Sequence, residues 1–137
     1  MGTMTVEEAR TTVRLMDDAY QTILRQVHES YPTQPGRPVA ASLVKDLQKE
    51  MSDRGWTNSR FLAVNAIVMN PDHRARDPFE QKAVEALARG EERYESLEGG
   101  NLRVATVVPL GFGCGSCHWV PPGKTAVAAI SWKIPVH

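Results

Sequence analysis

Charge of one sign is missing from this sequence. Sixteen Lys and Arg residues offset sixteen Asp and Glu, so no overall field exists to hold nucleic acid or an anionic membrane. Long apolar runs are missing too. No uninterrupted stretch approaches the roughly 18 residues of a bilayer-spanning helix, which excludes a membrane span. Cysteine is scarce: Cys114 and Cys117 are the only two, too few for a disulfide-stapled miniprotein. No basic segment followed by an apolar one opens the chain, so no signal peptide is read there. What remains is 137 residues, 42% hydrophobic and 23% charged, the profile of one soluble globular domain with a real core. Its function must lie in a local site.

Met1-Gly2-Thr3-Met4 reads as a cloning scar, which places the single domain at residues 5–137. Val6, Ala9, Val13, Met16, Tyr20, Ile23 and Val27 then recur at alternating steps of three and four. That pattern predicts one long amphipathic helix from Thr5 to Tyr31, opened by a Thr5/Glu8 capping box. Its stripe packs on its own domain or, over three to four heptads, pairs with a second copy in a homodimer. Pro32, Pro35, Gly36 and Pro38 break the helix. A second helix is expected over Val39–Arg54, with Ala40, Leu43, Val44, Leu47 and Met51 inward and Gly55 as its stop.

Arg60–Met69 is apolar and extended in character. Asp77, Pro78 and Glu80 mark the start of a third helix, with Phe79, Ala83, Leu87 and Ala88 inward and Gly90 at its end. Glu91–Leu97, a Glu98-Gly99-Gly100-Asn101 turn and Leu102–Leu110 read as a hairpin. A glycine- and proline-rich loop over Gly111–Lys124 holds both cysteines, and Thr125–Val136 closes the chain as a strand. Helices first and strands last predict an α+β fold with an antiparallel sheet.

Cys114-Gly115-Ser116-Cys117-His118 is C-x-x-C-H, the attachment motif of haem c. Two thiols add across the two haem vinyl groups as thioethers, and the intervening pair of residues lets the chain span them. The histidine after the second cysteine then reaches the iron as an axial ligand. Chance produces the pattern in roughly one chain in 2,000 of this composition. A structural zinc site is a weaker reading, because it needs a fourth ligand and no second Cys/His pair exists. A thioredoxin-type disulfide is also weaker. Its first cysteine draws reactivity from a helix start, and Pro121-Pro122-Gly123 bars a helix there.

The chain also resembles a family of c-type haem domains with a PAS-like fold. The resemblance covers nearly the whole chain. It runs through the long N-terminal helix, Arg54-Gly55-Trp56, Asn70-Pro71, Asp77-Pro78-Phe79-Glu80, Gly90-Glu91, Arg103–Pro109, the C-x-x-C-H and Ala128-Ala129-Ile130-Ser131-Trp132. It implies an exported, periplasmic haem protein, free-standing or part of a larger signalling protein. Cys114 and Cys117 would attach the haem, and His118 would be the proximal ligand. Some members supply a cysteine from the N-terminal helix opposite His118; this chain has no third cysteine.

The sixth ligand must therefore come from elsewhere. His28, at the edge of the first helix's stripe, is the preferred candidate over Met69, which an apolar strand already explains. His73 lies in a charged segment and reads as surface. His137 ends the chain and reads as disordered. Arg60 and Arg103 are candidate partners for the haem propionates, since a guanidinium pairs well with a carboxylate. Three functions follow: an electron-transfer cytochrome with a redox partner protein, a haem-based redox or diatomic-gas sensor, and, least supported, a haem enzyme.

Overall fold

The computed structural model describes residues 3–30, 40–65, 71–109 and 127–137, with side chains over 3–26, 43–65, 72–109 and 127–137. Helix α1 spans Val6–Ser30 and α2 spans Ala40–Asp53. Strand β1 (Asn58–Ala63), a 3-10 turn (Pro71–His73) and α3 (Pro78–Ala88) follow, then β2 (Arg93–Glu98), β3 (Asn101–Pro109) and β4 (Val127–Pro135). The fold is α+β: one four-stranded antiparallel sheet in the order β1-β4-β3-β2, with a long N-terminal helix.

Local chemistry explains most boundaries. The Thr5/Glu8 box is reciprocal, with Thr5 N–H donating to Glu8 Oε1 and Glu8 N–H to Thr5 Oγ1, both at 3.1 Å. Two free N–H groups of α1 are thereby satisfied. Gly55 (φ +80°) turns the chain out of α2 into β1. Asp77 caps α3 by accepting from Glu80 N–H at 2.8 Å, with Pro78 at the first helical position. Gly99 (φ 54°) and Gly100 (φ 79°) both take the left-handed region that a two-residue hairpin matched to strand twist requires.

The two sheet faces carry separate cores. On one face α1 and α2 pack Ala9, Val13, Tyr20, Leu24 and Val44 onto Phe61, Leu102, Val104, Val108, Ile130, Trp132 and Ile134. On the other, α3 packs Phe79, Ala83 and Leu87 onto Leu62, Ala105 and Ala129. Small residues at the centre of that second face let α3 approach closely. The centre of the α1 stripe is thus buried against the chain's own sheet, so Ala9, Val13 and Tyr20, each 0% exposed, are not available to pair with a second copy.

Some residues sit differently from expectation. Ala86 is buried and Ala88 exposed, because the inward face of α3 follows 79, 83, 86 and 87. Leu43 is 39% exposed, at the rim of the α2 face. Met4 does not stand apart from the domain: it bridges Val136 in parallel, accepts His137 N–H at 2.9 Å and packs against the α1-side core. His137 is correspondingly ordered, with Nδ1 2.6 Å from Thr3 Oγ1. The expected strand residues Ala66–Met69, Leu110, Thr125 and Ala126 lie outside the described residues, as does the loop Gly111–Lys124.

Candidate functional site

The motif Cys114–His118 lies in the connection between β3 and β4, outside the described residues, and so does Met69. The framework nevertheless fixes where these segments depart. The last registered pair of β3 and β4 is Pro109↔Val127, so the motif connection leaves and re-enters the sheet at one end. Strand β1 finishes at that end, with Ala63 opposite Ala128, and Asn65 Oδ1 accepts Val127 N–H at 3.0 Å. The segment carrying Met69 therefore starts beside the root of the motif loop.

Helix α1 runs toward the same end. It starts next to the Met4↔Val136 bridge, at the far end of β4. Further along, Asp17 and Gln21 bond to Thr106 and to the Val107 carbonyl, close to the end of β3. His28 belongs to α1, seven residues beyond Gln21, or about 10 Å of additional helix; its side chain lies outside the described residues. One end of the sheet thus receives the motif loop, the last turns of α1 and the segment after β1. His137, hydrogen-bonded at the opposite end, is removed from the ligand candidates. His73 is half-buried rather than solvated, its ring 5.8 Å from Phe61 in an edge contact.

The α1-side face also changes character toward the motif end. Residues paired across the strands share a face. The rows read Ile134–Leu102, then Ser59–Trp132–Val104, then Phe61–Ile130–Thr106, and finally Ala63–Ala128–Val108. Large side chains give way to small ones where the motif loop attaches. Ala63 and Ala128 are only partly buried, and among the described residues this row carries the smallest side chains of the face.

Behind this row lies a polar chain that sequence reasoning missed. Trp132 Nε1–H donates to Thr106 Oγ1 at 3.0 Å. Indole is only a donor, so the Thr106 hydroxyl is free to donate onward to Asp17 Oδ1 at 2.7 Å. Gln21 Nε2 donates to Asp17 Oδ2 at 2.9 Å and to Val107 O at 3.1 Å. Burial pushes the Asp17 carboxyl up, against the opposing pull of the Thr106 and Gln21 hydrogen bonds. The signal was present in the sequence: Asp17 stands four residues after Val13 and three before Tyr20, inside the apolar stripe.

Arg60 and Arg103 lie on the α3 side of the sheet, held by carboxylates of this chain. Arg60 Nη1 is 2.5 Å from Glu80 Oε1, and its Nη2 donates to the carbonyls of Asp72 and Arg74. Glu80, 2% exposed, also accepts Arg76 N–H at 2.9 Å. Arg103 Nη1 donates to Asp77 Oδ2 at 3.0 Å, and its guanidinium lies 4.5 Å from the centre of the Phe79 ring. Each arginine is thus already charge-paired within the chain through its Nη1. In this structure the two cations fasten α3 to β1 and β3.

This fastening gives a pH-dependent expectation. Burial pushes the Asp77 carboxyl up, but the Glu80 N–H bond and the Arg103 guanidinium outweigh it, and the group sits below its ordinary value. A carboxylate with a lowered folded-state pKa stabilises the fold above its unfolded value and loses that contribution as pH falls through the folded one. Asp77→Ala should therefore cost about 1 kcal/mol near pH 7, the usual worth of an N-cap. The side chain is 39% exposed, so the ion pair adds little more. Urea unfolding near pH 7 and again below the ordinary carboxylate range checks this: the gap between parent and variant should shrink in acid.

Among the described residues no cluster of three or more His, Cys, Asp or Glu side chains is placed to hold a metal ion, and no helix is long and apolar enough to cross a membrane. No family model, no curated protein and no solved structure matches the chain.

Proposed function

We propose that this chain is a c-type cytochrome domain of PAS-like type, exported to the periplasm, that holds one covalent haem c and transfers electrons to and from a partner protein. The observation that carries the reading is the C-x-x-C-H at Cys114–His118, which uses both cysteines of the chain. The donor set fits the group: two thiols for two vinyls and an imidazole for the iron. The small-residue row Ala63–Ala128–Val108 supports it, since it presents a flat apolar surface at the end of the sheet where the motif connection attaches.

In this reading Cys114 and Cys117 supply the thioethers and His118 the proximal nitrogen. Haem supplies an iron that cycles between two oxidation states. The chain's own contribution is positional. The β3–β4 pairing anchors both ends of the motif loop, the apolar α1-side face would exclude water from the group, and His28, carried by α1 toward the same end, would be the second protein ligand to the iron. A neutral imidazole is a good iron ligand, and His28 is preferred over Met69 because core packing already explains a methionine in an apolar run.

A sensor for redox state or a diatomic gas is the second reading. It takes over if the iron has an open position, because a pocket with a vacant coordination site binds small ligands. Absorption spectra of ferric, ferrous and CO-treated protein decide between them. The electron-transfer reading expects a six-coordinate, low-spin iron that binds CO slowly. His28→Ala should turn the iron high-spin and speed CO binding, while Met69→Leu leaves the spectrum nearly unchanged. A five-coordinate parent, or a His28→Ala spectrum identical to the parent's, would overturn the ligand assignment and favour sensing.

A further inference from the structure

The seam between α1, α2 and β1 contains polar groups that the function proposed above does not use. Tyr20 is 0% exposed and its ring stacks on Trp132, with centroids 5.5 Å apart and planes 12° from parallel. Ser59 is paired with Trp132 in the β1–β4 register, so it stands beside the indole on the same face. Thr57, two residues earlier and 3% exposed, continues that face. The Tyr20 phenol therefore reaches past Trp132 toward β1, where it faces the Thr57 and Ser59 hydroxyls. Burial pushes the phenol up, and those two hydroxyls act in the opposite direction.

The two hydroxyls are near enough to pull the phenol down, yet among the described residues Tyr20 Oη, Thr57 Oγ1 and Ser59 Oγ are all buried and none makes a hydrogen bond of good geometry. A fourth unpaired group, Gln48 Nε2, is on α2, the helix that packs over β1 and α1. Gln48 is 5% exposed and follows Val44, 0% exposed, by one helical repeat, so it belongs to the inward face. Leaving a buried polar group unsatisfied is costly, and native proteins rarely tolerate several in one place. Three hydroxyls, each both donor and acceptor, suit a water molecule, which typically makes about three hydrogen bonds inside a protein.

We propose that Tyr20, Thr57 and Ser59 form a buried binding site for one long-lived water molecule at the seam of α1, α2 and β1, with Gln48 closing it from the α2 side. The water bridges α1 to the first strand and completes hydrogen bonds that the side chains cannot make among themselves. The site is independent of haem, since it lies on the framework and involves no residue of the motif loop.

A crystal structure of the full chain at a resolution that shows ordered water tests this directly, together with water–protein NOEs to the Tyr20 hydroxyl proton. The expected result is one water within hydrogen-bond distance of at least three of the four groups, and a Tyr20 hydroxyl signal that cross-relaxes with it. Thr57→Val combined with Ser59→Ala should abolish the water and lower the melting temperature, whereas Thr57→Ser, which keeps the hydroxyl, should retain it. The retained water in Thr57→Ser keeps the test decisive if the double variant fails to fold. Density showing Tyr20 Oη bonded directly to Thr57 or Ser59 with no water between them would overturn the proposal, and so would an unchanged water in the double variant.

Discussion

Replacing Trp132 by alanine should cost about 3–5 kcal/mol of unfolding free energy, the range for emptying a large buried aromatic site. Trp132 is 0% exposed at the centre of the α1-side core, on a strand with neighbours on both sides, so the surrounding backbone has little freedom to collapse into the void. Two further losses go with the volume. The stacked Tyr20 ring loses its partner, and such a pair is worth about 0.5–1.5 kcal/mol beyond area burial. The Thr106 hydroxyl loses the Nε1–H that donates to it. Trp132→Phe separates these contributions, because it keeps an aromatic face for Tyr20 and removes the donor. Urea unfolding should place it between the parent and Trp132→Ala. A Trp132→Ala variant within 1 kcal/mol of the parent would mean that the indole does not organise this core.

The second large effect is all-or-none. A Cys114→Ala, Cys117→Ala double variant, produced beside the parent in a host with haem-maturation machinery, should show no haem stain on a denaturing gel. Each thioether requires a cysteine sulfur, and the chain has no third cysteine to substitute. Each single variant can form at most one thioether, so its stain should be weaker. The framework cores lie within the described residues, and the double variant removes nothing from them, so it should keep the far-UV dichroism of the unloaded parent. Equal staining of parent and double variant would show that the colour is not held through these sulfurs.

Local signals in the sequence are strong where a few neighbouring residues decide the outcome. The Thr5/Glu8 box, the Asp77-Pro78 start of α3 and the Gly99-Gly100 hairpin each act within four residues, and each is found where its chemistry places it. Long-range partners are not legible in the same way. Glu80 looked like an ordinary first-turn carboxylate of α3. Its burial depends on Arg60, twenty residues earlier on β1. The carboxylate partners of Arg60 and Arg103 were not legible either, because only packing brings them in. Met4 gave no sign in the sequence that the two residues after β4 would bond beside it. The β1-β4-β3-β2 order likewise rests on pairing between distant segments, which periodicity does not encode.

The candidate site divides along the same line. The C-x-x-C-H is a contiguous motif and was legible outright. That its loop, the C-terminal turns of α1 and the segment after β1 leave from one end of the sheet depends on strand register and on the Asp17–Thr106 and Gln21–Val107 bonds. So does the narrowing of the face to Ala63–Ala128–Val108. These framework facts fix where the ends of the motif connection leave the sheet.

The measurement that bears most directly on the central claim is the intact mass of the protein purified from a periplasm with haem-maturation machinery, taken after acid–acetone extraction. The protein should stay red and its mass should exceed the polypeptide by that of one haem, with the label mapping to a peptide containing Cys114 and Cys117. A polypeptide of unmodified mass, with any colour wholly in the organic phase, would contradict that claim.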